Sequence, residues 1–293
     1  MQGLPVKIAI QGELGSNSHM AALAMLRDGS AAELEIAACA TSAEVFERVV
    51  SGKVDGAVLP IENSLHGSVA EHYDLLLAEP VRIARESLLR VRHNLIARPG
   101  VAPEDIKRVM SHPVALSQCR RWLAERPWLE VVNFYDTAGS VKFLMEEGLD
   151  DTAGIAPELA ARQYGAEVLV KGIEDHAENY TRFHLLLREP PLKANGGLAG
   201  LGPGLGADKG ANKASLAFSV VHRPGSLVVA LEEFARAGVN LTKIESRPVH
   251  GTPWEYVFFV DVRFETAAQI DEALAQVARH CQMLKELGRY GAA

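Results

Sequence analysis

Thr181 and Arg182 sit in the run Glu178-Asn179-Tyr180-Thr181-Arg182-Phe183, which sets an amide, a hydroxyl and a guanidinium just before the apolar stretch Phe183 to Leu187. That stretch reads as a strand that would aim the polar group at a cleft. A threonine hydroxyl fixed in a dry site can donate a hydrogen bond to a departing oxygen, and a guanidinium can hold a carboxylate through two parallel bonds. The plain alternative is a polar turn, in which the hydroxyl only caps loop backbone.

Three further segments carry groups suited to an anion. Pro60-Ile61-Glu62-Asn63-Ser64 follows the buried strand Gly56 to Pro60, so its side chains emerge at a strand's carboxyl end, where open α/β sheets bind ligands. Asn63 and Ser64 are neutral donors. Glu62 would repel an anion unless protonated or paired with a cation, so it reads as orienting an arginine or a loop. Ser111-His112-Pro113 ends a strand and opens a helix with proline at its first position, where free N–H groups attract anions; His112 reads as structural. In Asp136-Thr137-Ala138, Thr137 is either a second donor or a bystander to helix capping by Asp136. Gly12 to His19 forms a loop into the first helix, with Ser18 as its cap.

These segments need a scaffold, and the pattern before residue 190 supplies one. Strands over Val6–Ile10, Leu34–Ala38 and Gly56–Pro60 alternate with helices over Ser18–Arg27 and Ser42–Ser51. A second series from Val81 to Ile173 has strands over Val91–Ala97, Arg108–Ser111, Val131–Phe134, Thr152–Ala156 and Val168–Val170, with helices from Pro113, Ala138 and Pro157. Two α/β lobes sharing a cleft follow: about 1–80 with 176–189, and 81–175. Residues 190–212 are rich in glycine and proline and read as a linker; Gly200, Gly202, Gly204 and Gly206 lack the spacing and βαβ setting of a nucleotide loop. Over 213–290 the order is βαββαβ, the ferredoxin-like unit, with Leu227, Leu231 and Phe234 on the buried face of its first helix and Gly238 at that helix's end. The exposed edge of so small a sheet invites a second copy.

Thirty Lys and Arg against 37 Asp and Glu give a net charge of -7, with no basic run, so nucleic acid is not an expected partner. Cys39, Cys119 and Cys281 lack zinc or redox spacing, and neither a metal nor another cofactor is expected. The first ten residues are too short for a signal peptide and no apolar run reaches membrane-spanning length, so the expected location is the cytoplasm.

Thr181-Arg182-Phe183 together with Glu245-Ser246-Arg247-Pro248 resembles the prephenate dehydratase family, which includes the arogenate dehydratases of plants. Gly12-x-x-Gly15-x-x-Ser18-His19, Pro60-Ile61-Glu62-Asn63-Ser64-x-x-Gly67, Ser111-His112-Pro113 with Gln118-Cys119, Asp136-Thr137-Ala138 and Asn240-Leu241-Thr242-Lys243-Ile244 extend the resemblance over nearly the whole chain. It implies a two-lobed catalytic domain, like periplasmic binding proteins in form, over 1–189, and an ACT domain after the linker. It further implies decarboxylating dehydration of prephenate to phenylpyruvate. By resemblance Thr181 donates to the leaving hydroxyl; Arg182, Asn63, Ser64, Ser111 and Gln118 complete the catalytic set; and Glu62, Thr137, Ala138 and Phe183 line the substrate pocket. Where this family usually carries an aromatic residue the chain has Asn17, which departs from a pocket-wall pattern. The C-terminal unit resembles an ACT-domain site for L-phenylalanine between two subunits, drawing on Gly225, Ser226, Leu227, Val228, Asn240, Leu241, Glu245, Ser246, Arg247 and Pro248. Self-association as a dimer or a dimer of dimers is implied. Met1 to Gly12 leads directly into the first lobe, so no fused chorismate mutase domain is expected. Arogenate as substrate, and an amino-acid-sensing binding protein without turnover, are the competing readings.

Overall fold

Long apolar runs with little alternation, such as Ala57-Val58-Leu59 and Ile8-Ala9-Ile10, call for strands covered on both faces, and all six of these residues are fully buried. A computed structural model describes residues 5–26, 34–189, 210–249, 251–252 and 254–293. Its first run of elements is β1 (Val6–Gln11), α1 (Asn17–Leu26), β2 (Leu34–Cys39), α2 (Ser42–Val50), β3 (Gly56–Asn63), β4 (Gly67–Ser68), α3 (Ala70–Ala78) and β5 (Val81–Arg90). The second is β6 (Asn94–Ala97), β7 (Arg108–Ser111), α4 (Pro113–Ser117), α5 (Arg120–Ala124), β8 (Glu130–Asn133), α6 (Thr137–Glu146), β9 (Thr152–Ala156), α7 (Glu158–Tyr164) and β10 (Glu167–Val170). After β11 (Tyr180–Arg188) come β12 (Lys213–Ser219), α8 (Ser226–Arg236), β13 (Asn240–Pro248), β14 (Tyr256–Arg263), α9 (Ala267–Val277) and β15 (Met283–Tyr290).

The strands form three sheets, ordered β2-β1-β3-β11-β5 with β4 on β3, then β10-β6-β9-β7-β8, then β13-β14-β12-β15. β1 pairs in parallel with β2 and β3, and β7 with β8 and β9, as crossover helices require. By the density of its contacts the chain divides into one unit of Met1–Val69 and Ser87–Phe183 and a second of Ala70–Glu86 and His184–Ala293. Two strands, β5 and β11, run from one unit into the other.

Several boundaries differ from the sequence reading. β11 begins at Tyr180, so Thr181 lies inside a strand rather than in the loop before it. β3 continues past Pro60 to Asn63 because Glu62 and Asn63 pair with Ser68 and Gly67 of β4. β5 joins the first sheet, so the second sheet starts at Asn94 and not near Val81. The helix from Pro113 breaks at Cys119 (φ -118, ψ 24), giving α4 and α5. Helix α9 ends at Val277, followed by a 3-10 turn over Ala278–His280. Of the expected linker, 190–209 lies outside the described residues. Among the described residues no helix is long and apolar enough to cross a membrane.

In the second unit Leu216, Phe218, Val260 and Val262 of the sheet pack on Ala230 and Phe234 of α8 and Ile270 and Val277 of α9, with Leu227 and Leu231 partly buried at the margin. Gly238, at φ +70, turns the chain out of α8, a conformation that strains any residue with a Cβ. The sheet's other face carries α3: Tyr73 meets Phe259 with ring centroids 5.0 Å apart. Lys285 Nζ donates to the carbonyls of Leu76, Leu77 and Glu79 at 3.1, 3.0 and 3.2 Å, satisfying the end of α3. Burial pushes the Lys285 ammonium below its usual pKa.

Candidate functional site

Inside the first unit, a cavity of about 280 Å³ collects residues from strands of the first sheet and from loops and helices that flank the second. Thr181 and Phe183 of β11, Pro60 and Asn63 of β3, and Val91 and His93 from the segment before β6 form part of its wall. The rest comes largely from the starts of helices: Ser16, Asn17 and Ser18 at α1, His112, Val114 and Ala115 at α4, and Asp136 and Thr137 at α6. Among the described residues lining it there is no lysine or arginine. An anion held here meets neutral donors and the N–H ends of the ten-residue helices α1 and α6, whose dipoles favour negative charge.

The orientation of the Thr181 hydroxyl follows from Asn63. Asn63 Oδ1 accepts from the backbone N–H groups of Leu65 and His66, both at 3.0 Å, which fixes the amide so that Nδ2 faces the other way. Nδ2 then donates to Asn179 Oδ1 at 2.8 Å and to Thr181 Oγ1 at 2.9 Å. Because the Thr181 oxygen accepts this bond, it does not spend its own proton on it, and that proton can go to a ligand. Asn63→Asp keeps the shape and the Leu65 and His66 bonds but offers Thr181 an acceptor. The hydroxyl is expected to turn its proton to the carboxylate and turnover to fall about 100-fold or more, with some loss of melting temperature because the new oxygen also faces the acceptors Asn179 Oδ1 and Tyr180 O. Retained turnover in Asn63→Asp would contradict this arrangement.

A second chain of hydrogen bonds reaches the cavity through Gln118, which the break between α4 and α5 turns inward. Gln118 is bonded to His93 Nε2 through Oε1 at 2.7 Å and to His66 Nδ1 through Nε2 at 3.0 Å, and His66 Nε2 lies 3.1 Å from Ser117 Oγ. Burial holds His93 below the usual imidazole pKa, with the Gln118 bond and Glu174 opposing it.

The loop into α1 is anchored at its base. Glu13 accepts from Tyr135 Oη at 2.8 Å and Lys142 Nζ at 3.1 Å, and Asp136 Oδ1 caps α6 by accepting from Gly139 N at 2.7 Å. Gly12, at φ +92, lies so close to Asp136 Oδ2 that a Cβ there would collide with it. Burial raises the Asp136 carboxyl pKa, against hydrogen bonds from Gly139 and neighbouring backbone.

Asn63, Gln118, Thr137, Phe183 and Thr181 line the cavity, and so does Asn17. Other residues picked from the sequence do not. Arg182 lies between Thr181 and Phe183 on a strand whose side chains alternate, so it turns to the opposite side, where Glu62 lies 3.4 Å away. Ser64 Oγ accepts from Tyr180 N at 3.0 Å, tying β3 to the strand that carries Thr181. Ser111 is fully buried in its sheet, its hydroxyl donating to Ile155 O at 2.6 Å. Ala138 is buried at the start of α6. The sequence marks His93 only as a histidine inside the expected strand Val91–Ala97, and it places the Asn179 amide beside Thr181 without showing that it partners Asn63.

The ACT-type set divides as well. Gly225, at φ +83, precedes α8, and Ser226, Leu227 and Val228 form its first turn. Asn240 and Leu241 follow its other end, across eleven helical residues, a rise of about 16 Å. On β13, Glu245 and Arg247 face α3, where Arg247 Nη2 meets Asp74 at 2.7 Å, while Ser246 and Pro248 take the other face.

Two α/β sheets around a cavity ringed by helix N-termini, followed by a βαββαβ unit, define an α/β enzyme built to bind a small anion and carrying a regulatory-type module. A Prephenate dehydratase family model matches residues 8–191 and an ACT domain model residues 214–279. The chain belongs to the prephenate dehydratase family, whose members are lyases. It is 39% identical over 302 residues to arogenate dehydratase/prephenate dehydratase 2, chloroplastic, of Arabidopsis thaliana, covering 98% of this chain and 73% of that protein. The crystal structure of prephenate dehydratase in complex with L-Phe from Arthrobacter aurescens superposes with a TM-score of 0.83 at 32% identity, covering 98% of this chain and 90% of that one. GqqA, described as a novel type of quorum quenching acylase, superposes with a TM-score of 0.84 at 32% identity, covering 98% of each chain.

Proposed function

We propose that this chain converts prephenate to phenylpyruvate, carbon dioxide and water, and that L-phenylalanine controls it through the ACT domain. The observation that carries the reading is the Thr181 hydroxyl, held by Asn63 so that its proton is free to meet a leaving oxygen inside a cavity ringed by helix N-termini. Aromatisation drives the reaction, so the protein's task is to hold the dianion, align the breaking C–C bond with the departing hydroxyl, and stabilise charge as it develops on that oxygen. A cavity of about 280 Å³ matches a compact substrate, at the small end of ligand sites. Arg182, paired with Glu62 behind the strand, supports β11 rather than touching the substrate. Ser64 and Ser111 fix the strand ends.

The catalytic domain is taken as 1–189 and the ACT domain as 213–290, in a cytoplasmic enzyme. Gly225 to Val228 and Asn240-Leu241 lie at opposite ends of α8, too far apart in one chain to hold one amino acid. A second copy, packed along the edge strand β13 and the exposed Val228, Val229 and Ile244, would bring one chain's loop to the other chain's Asn240. Dimers formed this way, or dimers of dimers, are the expected state. If phenylalanine favours one arrangement of the enzyme, it and a substrate analogue alter each other's affinity by the same factor; independent binding in calorimetry would contradict this.

Two other activities have specific support. The identity to an arogenate dehydratase/prephenate dehydratase favours testing arogenate, which carries an amino-acid group in place of the keto acid. The likeness to a quorum quenching acylase favours testing acyl-amide hydrolysis. Against the latter, the Thr181 oxygen is bonded to an amide N–H and not to a general base, so it is not activated as a nucleophile. Prephenate, arogenate and an acylated quorum signal, each with and without phenylalanine, separate the three. Phenylpyruvate from prephenate is the expected product.

A further inference from the structure

We propose that His93 takes up a proton as the dianionic substrate enters the cavity and delivers it to the departing hydroxyl, so that the oxygen leaves as water. The inference rests on the dehydratase reading above.

Four observations carry it. First, His93 lines the cavity, is 2% exposed, and its Nδ1 is a buried atom with no hydrogen-bond partner. Second, the free nitrogen can be assigned from the bonding chain. Ser117 Oγ donates its one proton to Val114 O at 2.7 Å, so it accepts from His66 Nε2. In a neutral ring His66 Nδ1 then accepts from Gln118 Nε2, and Gln118 Oε1 accepts from His93 Nε2–H. The lone pair of His93 is thereby left on Nδ1. Third, with no lysine or arginine among the described lining residues, only His93 and His112 can gain positive charge against a dianion. His112 Nδ1 is occupied as the cap of α4, accepting from Val114 N at 3.2 Å, so uptake there would cost that bond. Fourth, Thr181 is not an adequate proton source. Its oxygen is bonded to the Asn63 amide, which is far too weak an acid to replace a proton given away.

The step balances. The electron pair of the bond between the ring carbon and the carboxylate moves into the ring as carbon dioxide leaves. The C–O bond at the opposite ring carbon breaks with its pair, and the incipient hydroxide takes the proton of the His93 imidazolium. One dianion and one proton give phenylpyruvate, carbon dioxide and water, and His93 returns to neutral. Thr181 donates a hydrogen bond to the same oxygen and keeps its proton. Gln118 acts through His93 as a positioning residue.

The charged and titratable groups around His93 fit this cycle. Glu174 Oε2 accepts from His93 N at 2.9 Å, and Asp175 follows it. Asp136 and His112 share the cavity, and His66 stands behind Gln118. Arg90 and Arg92 line a separate cavity with Glu174. Burial disfavours imidazolium in the free enzyme, and the entering dianion reverses the balance.

Proton uptake at pH 8 is measured by titrating prephenate into Thr181→Ala, which is expected to bind but turn over slowly, in buffers of different ionisation enthalpy. About one proton taken up per substrate bound is expected with His93 intact, and close to none in Thr181→Ala/His93→Asn. Equal uptake in both proteins, or binding without uptake in the first, would overturn the assignment to His93. No binding of prephenate at all would instead overturn the dehydratase reading. Should His93→Asn fail to fold, the ¹⁵N spectrum of histidine-labelled Thr181→Ala carries the test. His93 Nδ1 is expected to be unprotonated alone and protonated with prephenate; an unchanged Nδ1 would refute the proposal.

Discussion

Thr181→Ala is expected to lower kcat for prephenate by about 100- to 1000-fold with KM changed little, the loss typical of removing one donor that acts mainly in the transition state. Thr181 is 8% exposed and its oxygen accepts from Asn63, so its own proton is left to donate. Asn63 Nδ2 keeps Asn179 Oδ1 at 2.8 Å and Tyr180 O at 3.2 Å when the hydroxyl is removed, so no buried donor is stranded and the fold should survive. This separates catalysis from the plain alternative. A hydroxyl that merely caps the loop would leave kcat near normal and lower the melting temperature, whereas the structure predicts the opposite pair of results. Steady-state kinetics and a thermal melt on the same preparation decide between them.

Lys213→Met should have the largest effect on stability. Lys213 Nζ lies 2.7 Å from Glu86 and 3.9 Å from Asp261, and Asp261 also accepts from Ser215, whose hydroxyl meets Tyr290 Oη; the side chains of all five are almost fully buried. Removing the cation leaves two buried carboxylates with their main counter-charge gone, a change that costs about 3–5 kcal/mol. That corresponds to a fall in melting temperature on the order of 10 °C. Acid should act on the same group. Burial alone would raise the Glu86 pKa, but hydrogen bonds from His184 and Lys213 outweigh it and hold the carboxyl well below its usual range. A group depressed in the folded state stabilises the fold above its unfolded pKa of about 4.3 and loses that contribution as pH falls toward the folded value. Wild-type stability is therefore expected to drop steeply below about pH 4.5, and Lys213→Met to show a shallower drop because the depressing partner is gone. Parallel acid profiles, or a melting temperature within a degree or two of wild type, would contradict the network's role.

The elements were legible where pattern alone decides them. β7 and β9 fall where short apolar runs between breakers put them, and the βαββαβ order of the C-terminal unit follows from alternating periods of two and 3.6. What the residues do depended on features that local pattern hides. Pairing of Glu62 and Asn63 with β4, and of β11 from Tyr180 onward, converted two loops into strand ends, and strand alternation then parted Arg182 from Thr181. The sequence places 81–90 with the second lobe and marks no strand there, because the sheet neighbour of β5, β11, lies about a hundred residues further along the chain. His93 escaped notice because its meaning lies in a bond to Gln118, which depends on a helix break at Cys119 that no proline or glycine marks. The anion-binding character of the cavity comes from helix starts, visible in Ser111-His112-Pro113 and Asp136-Thr137, and not from Arg182.

The most direct test of the account is wild-type turnover of prephenate, with carbon dioxide and phenylpyruvate counted together. Equal amounts of the two, formed in step and suppressed by phenylalanine, are the predicted result; no turnover of prephenate, with or without phenylalanine, would contradict it.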